Sequence, residues 1–197
     1  GEVEYGGEMK HADRASLPYK SFVKNRFSNV FPATFEKYDI SKIDLTLYGL
    51  SKDELKKIQD FKINQYFMSY FHKWIPQENY YYAVENSGFK TKPERNEGTF
   101  SKYASIDDKL DGFHYYLMFI KFGIGRCTSD TAHEIRDGHI TRDEGVALVE
   151  KFDGEFPSQY FETFLNYCDL GENEFWEVID SWRSPHIWRK LKGEWKL

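Results

Sequence analysis

The chain has 197 residues and a mass of 23.4 kDa, with 27 Lys and Arg against 32 Asp and Glu for a formal charge of −5. Its 17 Phe, 14 Tyr and 5 Trp argue for a packed core and against disorder, although mean hydropathy is −0.70. No run approaches the roughly 18 apolar residues of a membrane span, no signal-peptide pattern opens the sequence, and Cys127 and Cys168 are too few and too far apart for a CxxC zinc site. One disulfide stays open as a possibility, with a reduced pair of the cytosolic kind favoured.

Charge is unevenly placed. Residues 130–180 hold 14 acidic and 3 basic residues, a net of −11, while the remainder is +6. A duplex-binding protein needs a broad positive face, which this block opposes. The scattered cations, including Arg183, Arg189, Lys190, Lys192 and Lys196 near the end, better suit a small anionic ligand or an acidic partner surface.

In chain order, the opening Gly1-Glu2-Val3-Glu4-Tyr5-Gly6-Gly7 caps no helix and starts no apolar run, so it reads as the middle of a longer protein, with a tag scar or processed terminus as the plainer account. Phe22, Val23, Phe27, Val30, Phe31 and Phe35 sit roughly at helical spacing. Ser51 and Glu54 form a capping box that predicts a helix to about Phe61. The aromatic run Ile63–Phe71 predicts a buried strand, which periodicity alone cannot separate from a short helix. Pro76 starts a helix over Gln77–Asn86 that ends at Gly88, and residues 90–103 read as a loop.

Ile106, Leu110, Phe113, Leu117 and Ile120 form one apolar stripe, predicting a helix from about Ser105 to Gly123. Ser129 or Asp130 caps a short helix through Arg136, stopped by Gly138. Thr141 and Glu144 form a second capping box for a helix to about Phe152, followed by an Asp153-Gly154 turn and helices over 157–167 and 172–182. The predicted fold class is mainly α: a compact bundle of short helices in the C-terminal half, with one or two short strands.

The chemical motifs are incomplete. Asp107-Asp108-Lys109-Leu110-Asp111 matches DDxxD, but acids in the first turn of a helix complement its dipole and no second acidic metal motif accompanies them. His133-Glu134 and His139 miss HExxH spacing, with Gly138 between the two histidines. No metal site is expected, and no GxSxG, no Cys-His constellation and no P-loop is present. Lys121-Phe122-Gly123-Ile124-Gly125-Arg126 places two cations around two glycines. On residue type a helix end with a glycine stop is the favoured account, with an anionic ligand beside it as the functional one.

That stretch, continued through Glu134-Ile135-Arg136-Asp137-Gly138-His139-Ile140-Thr141-Arg142-Asp143-Glu144, Phe152-Asp153-Gly154-Glu155-Phe156-Pro157 and Ser184-Pro185-His186-Ile187-Trp188, resembles the C-terminal part of the bacterial N-acetyl sugar amidotransferases. Lesser matches reach back to Glu4-Tyr5-Gly6-Gly7 and Lys73-Trp74. The resemblance implies an ATP pyrophosphatase-type parent that uses ATP with Mg to convert an acetamido to an acetamidino group in surface-glycan (lipopolysaccharide, O-antigen) biosynthesis. Ammonia would come from glutaminase and cyclase-like partners, the substrate would be a nucleotide-activated N-acetyl sugar, and the location would be cytoplasmic. It divides the chain into a remnant of the nucleotide-binding α/β domain over 1–103, whose last sheet strand would be Ile63–Phe71, and a helical domain over 104–197. The family's phosphate loop is not in this sequence, so this portion alone is expected to be inactive, with no cofactor bound. Lys121, Arg126, Arg136 and, less centrally, Arg142 are the expected substrate- or nucleotide-facing residues, with Glu2 and Tyr5 near the nucleotide. A non-catalytic helical interaction module is the alternative.

Overall fold

A computed structural model describes residues 16–18, 37–38, 40–45 and 52–197. The helices expected within 22–35, the Ser51 cap and the opening residues Glu2 and Tyr5 lie outside the described residues. The chain divides into two compact units, Gly1–Trp74 and Ile75–Leu197. Residues 75–103, which the resemblance assigns to the nucleotide-binding remnant, fall in the same compact unit as the helices that follow.

In the first unit, β1 (Ser16–Pro18) pairs antiparallel with β2 (Asn64–Tyr66), with Leu17 opposite Gln65. Helices α1 (Lys42–Leu45) and α2 (Lys52–Asp60) precede β2, and a single helical turn α3 (Met68–Phe71) follows it. The expected nine-residue buried strand is thus corrected to three residues. Its partner β1 is only three residues long, so the ladder stops at Tyr66 and the next residues satisfy their backbone locally, with His72 N–H donating to Met68 O. Tyr66, Met68, Tyr70 and Phe71 are exposed, so the aromatic run does not mark a core.

The second unit is mainly α. Helix α4 (Pro76–Ser87) has Pro at its start and Gly88 at φ 70° as its stop. Helix α5 (Asp111–Phe122) begins later than the apolar stripe suggested. Ser105 is at φ 49° and the Asp108 carboxylate accepts the Leu110 N–H at 2.7 Å, which bends the chain and leaves Ile106 exposed off the stripe.

Helix α6 (Arg126–Asp137) has Gly125 at its cap position, four residues before Ser129, the earlier of the two expected caps. Its capping side chain is remote in sequence. Asp153 accepts from Gly125 N–H at 2.9 Å, from Thr128 N–H at 3.1 Å and from the Thr128 hydroxyl, satisfying donors that no local side chain reaches. Helix α7 (Arg142–Phe152) opens with the predicted Thr141–Glu144 capping box. A Cβ on Gly145 would meet Ile135 Cδ1 at 2.7 Å, so glycine there lets α6 and α7 pack closely. A 3₁₀ turn (Ser158–Tyr160), α8 (Phe161–Cys168) and α9 (Glu172–Trp182) follow. The chain then closes in a hairpin the sequence reading missed, β3 (Arg189–Leu191) with β4 (Glu194–Lys196). Its two-residue turn has Lys192 at φ 54° and Gly193 at φ 88°, as a tight hairpin demands.

The core centres on Phe113, Ile120, Phe175, Ile179 and Trp188. Phe113 stacks on Phe164 at 4.2 Å between ring centres and meets Phe175 edge-on. Trp188 donates its indole N–H to Ile120 O at 2.6 Å, tying the C-terminal segment to the end of α5. Among the described residues no helix is long and apolar enough to cross a membrane.

Candidate functional site

A shallow hollow, open to solvent, lies where the 92–109 segment meets the first turns of α5 and α6 and the 3₁₀ turn. Two ties build it. Arg95 grips Glu155 in a two-pronged pair at 2.6 and 2.7 Å, with Gly98 N–H donating to the same carboxylate at 2.8 Å. Glu97 in turn accepts from Ser158 N–H at 3.0 Å, from the Ser158 hydroxyl and from Gln159 N–H. The Arg95 hydrogen bond, opposed by partial burial, holds the Glu155 carboxyl below its usual range.

Arg126 forms one wall. Its Nε donates to Asp130 at 2.9 Å, its guanidinium lies 3.5 Å from Asp111, and its face sits 4.5 Å from the Tyr115 ring centre. Burial opposes its charge, but Asp130, Tyr115 and Asp111 outweigh burial and hold its pKa above the ordinary value. Asp130 also accepts from the fully buried Thr99 hydroxyl at 2.5 Å. Tyr115 and Tyr160 supply aromatic walls, and Lys92, Lys109, Ser105, Asp108, Asn96 and Gln159 supply donors and acceptors. Asn96 Oδ1 is buried and finds no donor. A polar ligand's hydroxyl or a water would satisfy it.

Only Arg126 of the sequence-selected cations lines this hollow. Lys121, exposed at the far end of α5, lies 5.5 Å from the Trp182 ring centre. Arg136 is at the opposite end of α6, about 15 Å along the axis from Arg126. Arg142 is exposed at the first position of α7. Two of the three DDxxD acids are occupied locally: Asp111 accepts from the Ser105 hydroxyl and Asp108 from the backbone. His139 Nδ1 sits 2.6 Å from the buried Glu134 carboxylate, with Glu78 at 3.9 Å from Nε2. No group of three metal-ligating side chains occurs among the described residues. Both cysteines are free thiols; burial pushes Cys127 up to about 12.

The sequence reading missed Lys92, Asn96, Lys109, Tyr115, Gln159 and Tyr160. They come from segments up to 68 positions apart, and the Arg95–Glu155 and Glu97–Ser158 ties that unite them left no local pattern. The arrangement can bind and orient a polar molecule.

No curated protein matches the chain. The family described as LPS biosynthesis protein WbpG-like, C-terminal domain, matches residues 97–197. That span holds the hollow apart from Lys92 and Asn96, the capped pair α6 and α7, the aromatic core and the closing hairpin. With just over half of its length matched, including the elements that build its site, the chain belongs to the WbpG-like C-terminal domain family of lipopolysaccharide biosynthesis.

Proposed function

We propose that the chain is the C-terminal part of an ATP-dependent N-acetyl sugar amidotransferase, which converts an acetamido to an acetamidino group on a bacterial surface-glycan precursor, and that the hollow beside Arg126 holds the sugar. One observation supports the binding role: Tyr115 and Tyr160, both within the family's span, line the same hollow as a mixed set of donors and acceptors, among them Ser105, Gln159 and, just before that span, Asn96, whose buried Oδ1 has no hydrogen-bond partner. A pyranose has an apolar C–H face for the rings and hydroxyls that both donate and accept, so it matches a mixed set better than a uniformly charged one.

In this reading ATP with Mg belongs to the nucleotide-binding part of the intact enzyme, where the resemblance puts the phosphate loop. The share of the reaction assigned to this chain is therefore binding and orientation of the sugar, with ammonia from a glutaminase partner.

The test is AMP release by the full-length protein given ATP, ammonium and a UDP-N-acetyl sugar. Release that requires both sugar and ammonium supports the reading; no release with all three, or release without the sugar, overturns it. Gln159→Ala removes one rim hydrogen-bonding group and should raise KM for the sugar about fivefold with kcat unchanged, the equivalent of one hydrogen bond.

A further inference from the structure

One end of the second unit carries a basic and apolar surface. The last turn of α5, the last turn of α9 and the closing hairpin meet there. A Cβ on Gly123 would lie 3.3 Å from Ile187 and 3.4 Å from Leu197, and Lys121 reaches the Trp182 ring. Around this junction Phe122 is 62% exposed, Leu197 61% and Leu191 55%, with Ile124 and Trp182 also exposed. The elements that meet here carry five cations, Lys121 at the end of α5 and Arg189, Lys190, Lys192 and Lys196 on the hairpin. Lys190 lies 4.0 Å from Asp180, and Lys196 pairs with Glu194 at 3.1 Å. Lys121, Arg189 and Lys192 make no ion pair among the described residues.

We infer that this face is a docking surface for an anionic lipid bilayer. Charge complementarity and side-chain type together select that occupant. Four of the five cations are lysines, which protein interfaces disfavour and which bilayer surfaces attract through their point charges and long stems. Exposed Phe, Leu, Ile and Trp beside them can enter the headgroup boundary, where Trp is at home. Of the acidic block 130–180, Asp180 reaches this face, where Arg183 at 3.1 Å and Lys190 at 4.0 Å offset it; the acids of α6 and α7 lie on other helices and are repelled by the same membrane, which orients the molecule with the hairpin toward the lipid. The association is peripheral, and it does not rest on the sugar reading.

The test is co-sedimentation of the whole chain with vesicles of phosphatidylcholine alone and of phosphatidylcholine mixed with phosphatidylglycerol, with tryptophan emission followed in parallel. Binding should require phosphatidylglycerol, weaken with salt and shift the emission to the blue. Lys121→Gln and Lys192→Gln should each lower partitioning about fivefold. Phe122→Ser should abolish the blue shift, with circular dichroism showing each variant folded. No partitioning, equal partitioning into neutral vesicles, or indifference to both lysine changes overturns the proposal. So does a concentration-dependent dimer that Phe122→Ser dissolves, which would give the face to a second copy of the chain.

Discussion

Glu155 illustrates how much one side chain organises. It receives both prongs of Arg95 and the Gly98 N–H, so it fixes the 92–109 segment that forms half of the hollow. The pair is about one-third exposed, so water screens much of its Coulombic attraction; its two-pronged geometry leaves about 1 kcal/mol. Glu155→Gln should cost that amount by urea titration and speed amide exchange at Gly98. The pH dependence has a definite sign. A carboxyl whose folded pKa lies below the usual 4.5 contributes stability above that pH and loses it as pH falls through the lowered value, so the Glu155→Gln and parent unfolding curves should converge in acid. Cys127 behaves in the opposite sense. Burial raises its thiol from 9.0 to about 12, so its contribution is complete below pH 9 and is lost as pH rises toward 12. At neutral pH, iodoacetamide should label the exposed Cys168 and spare Cys127 until the protein unfolds.

At the scale of elements, the two central helices are capped in different ways, and only one cap was legible in the sequence. Thr141 and Glu144 stand three apart and close a reciprocal box at the start of α7, so the local pattern sufficed. The start of α6 was misjudged because its cap is Asp153, which is 28 positions from Gly125 and looked like a simple turn residue. The two caps should differ on mutation. Thr141→Ala, at an exposed box, should cost about 1 kcal/mol; Asp153→Ala strips two backbone donors and a hydroxyl of their shared acceptor and should cost up to about 2 kcal/mol by the same urea titration. The next residue allows no side chain. Gly154 is at φ 77°, and a Cβ there would stand 2.2 Å from the Phe119 ring. The candidate site was less legible than the helices for the same reason as the Asp153 cap: Arg126 stood out as a cation beside glycines, whereas Lys92, Asn96 and Gln159 acquire a common purpose only through contacts between distant segments. The aromatic run at 63–71 misled in the other direction, since apolar composition predicts burial only where a partner exists to cover it.

At the scale of the whole molecule, every residue of the core cluster, from Phe113 to Trp195, lies in the second unit. The same holds for the hollow, the α6–α7 pair and the hairpin. A chain reduced to residues 75–197 therefore keeps all of the aromatic core found among the described residues, and it should melt cooperatively on its own. That core depends on its last strands: Trp188 is 7% exposed and donates to Ile120 O, sealing the end of α5 from water. Removing residues 187–197 from the 75–197 fragment would uncover Ile120 and Ile179 and leave that carbonyl without its donor. Losing the Trp188 side chain alone is worth about 3–5 kcal/mol, which rivals the stability of a domain this small. Thermal unfolding of the two fragments, followed by near-ultraviolet circular dichroism, separates the possibilities. The 75–197 fragment should show one sharp transition, and the 75–186 fragment should lose its aromatic signal below the transition temperature of the longer one. A 75–186 fragment that melted as the longer one does would mean that the hairpin merely decorates the core, and the seal formed by Trp188 would have to be abandoned.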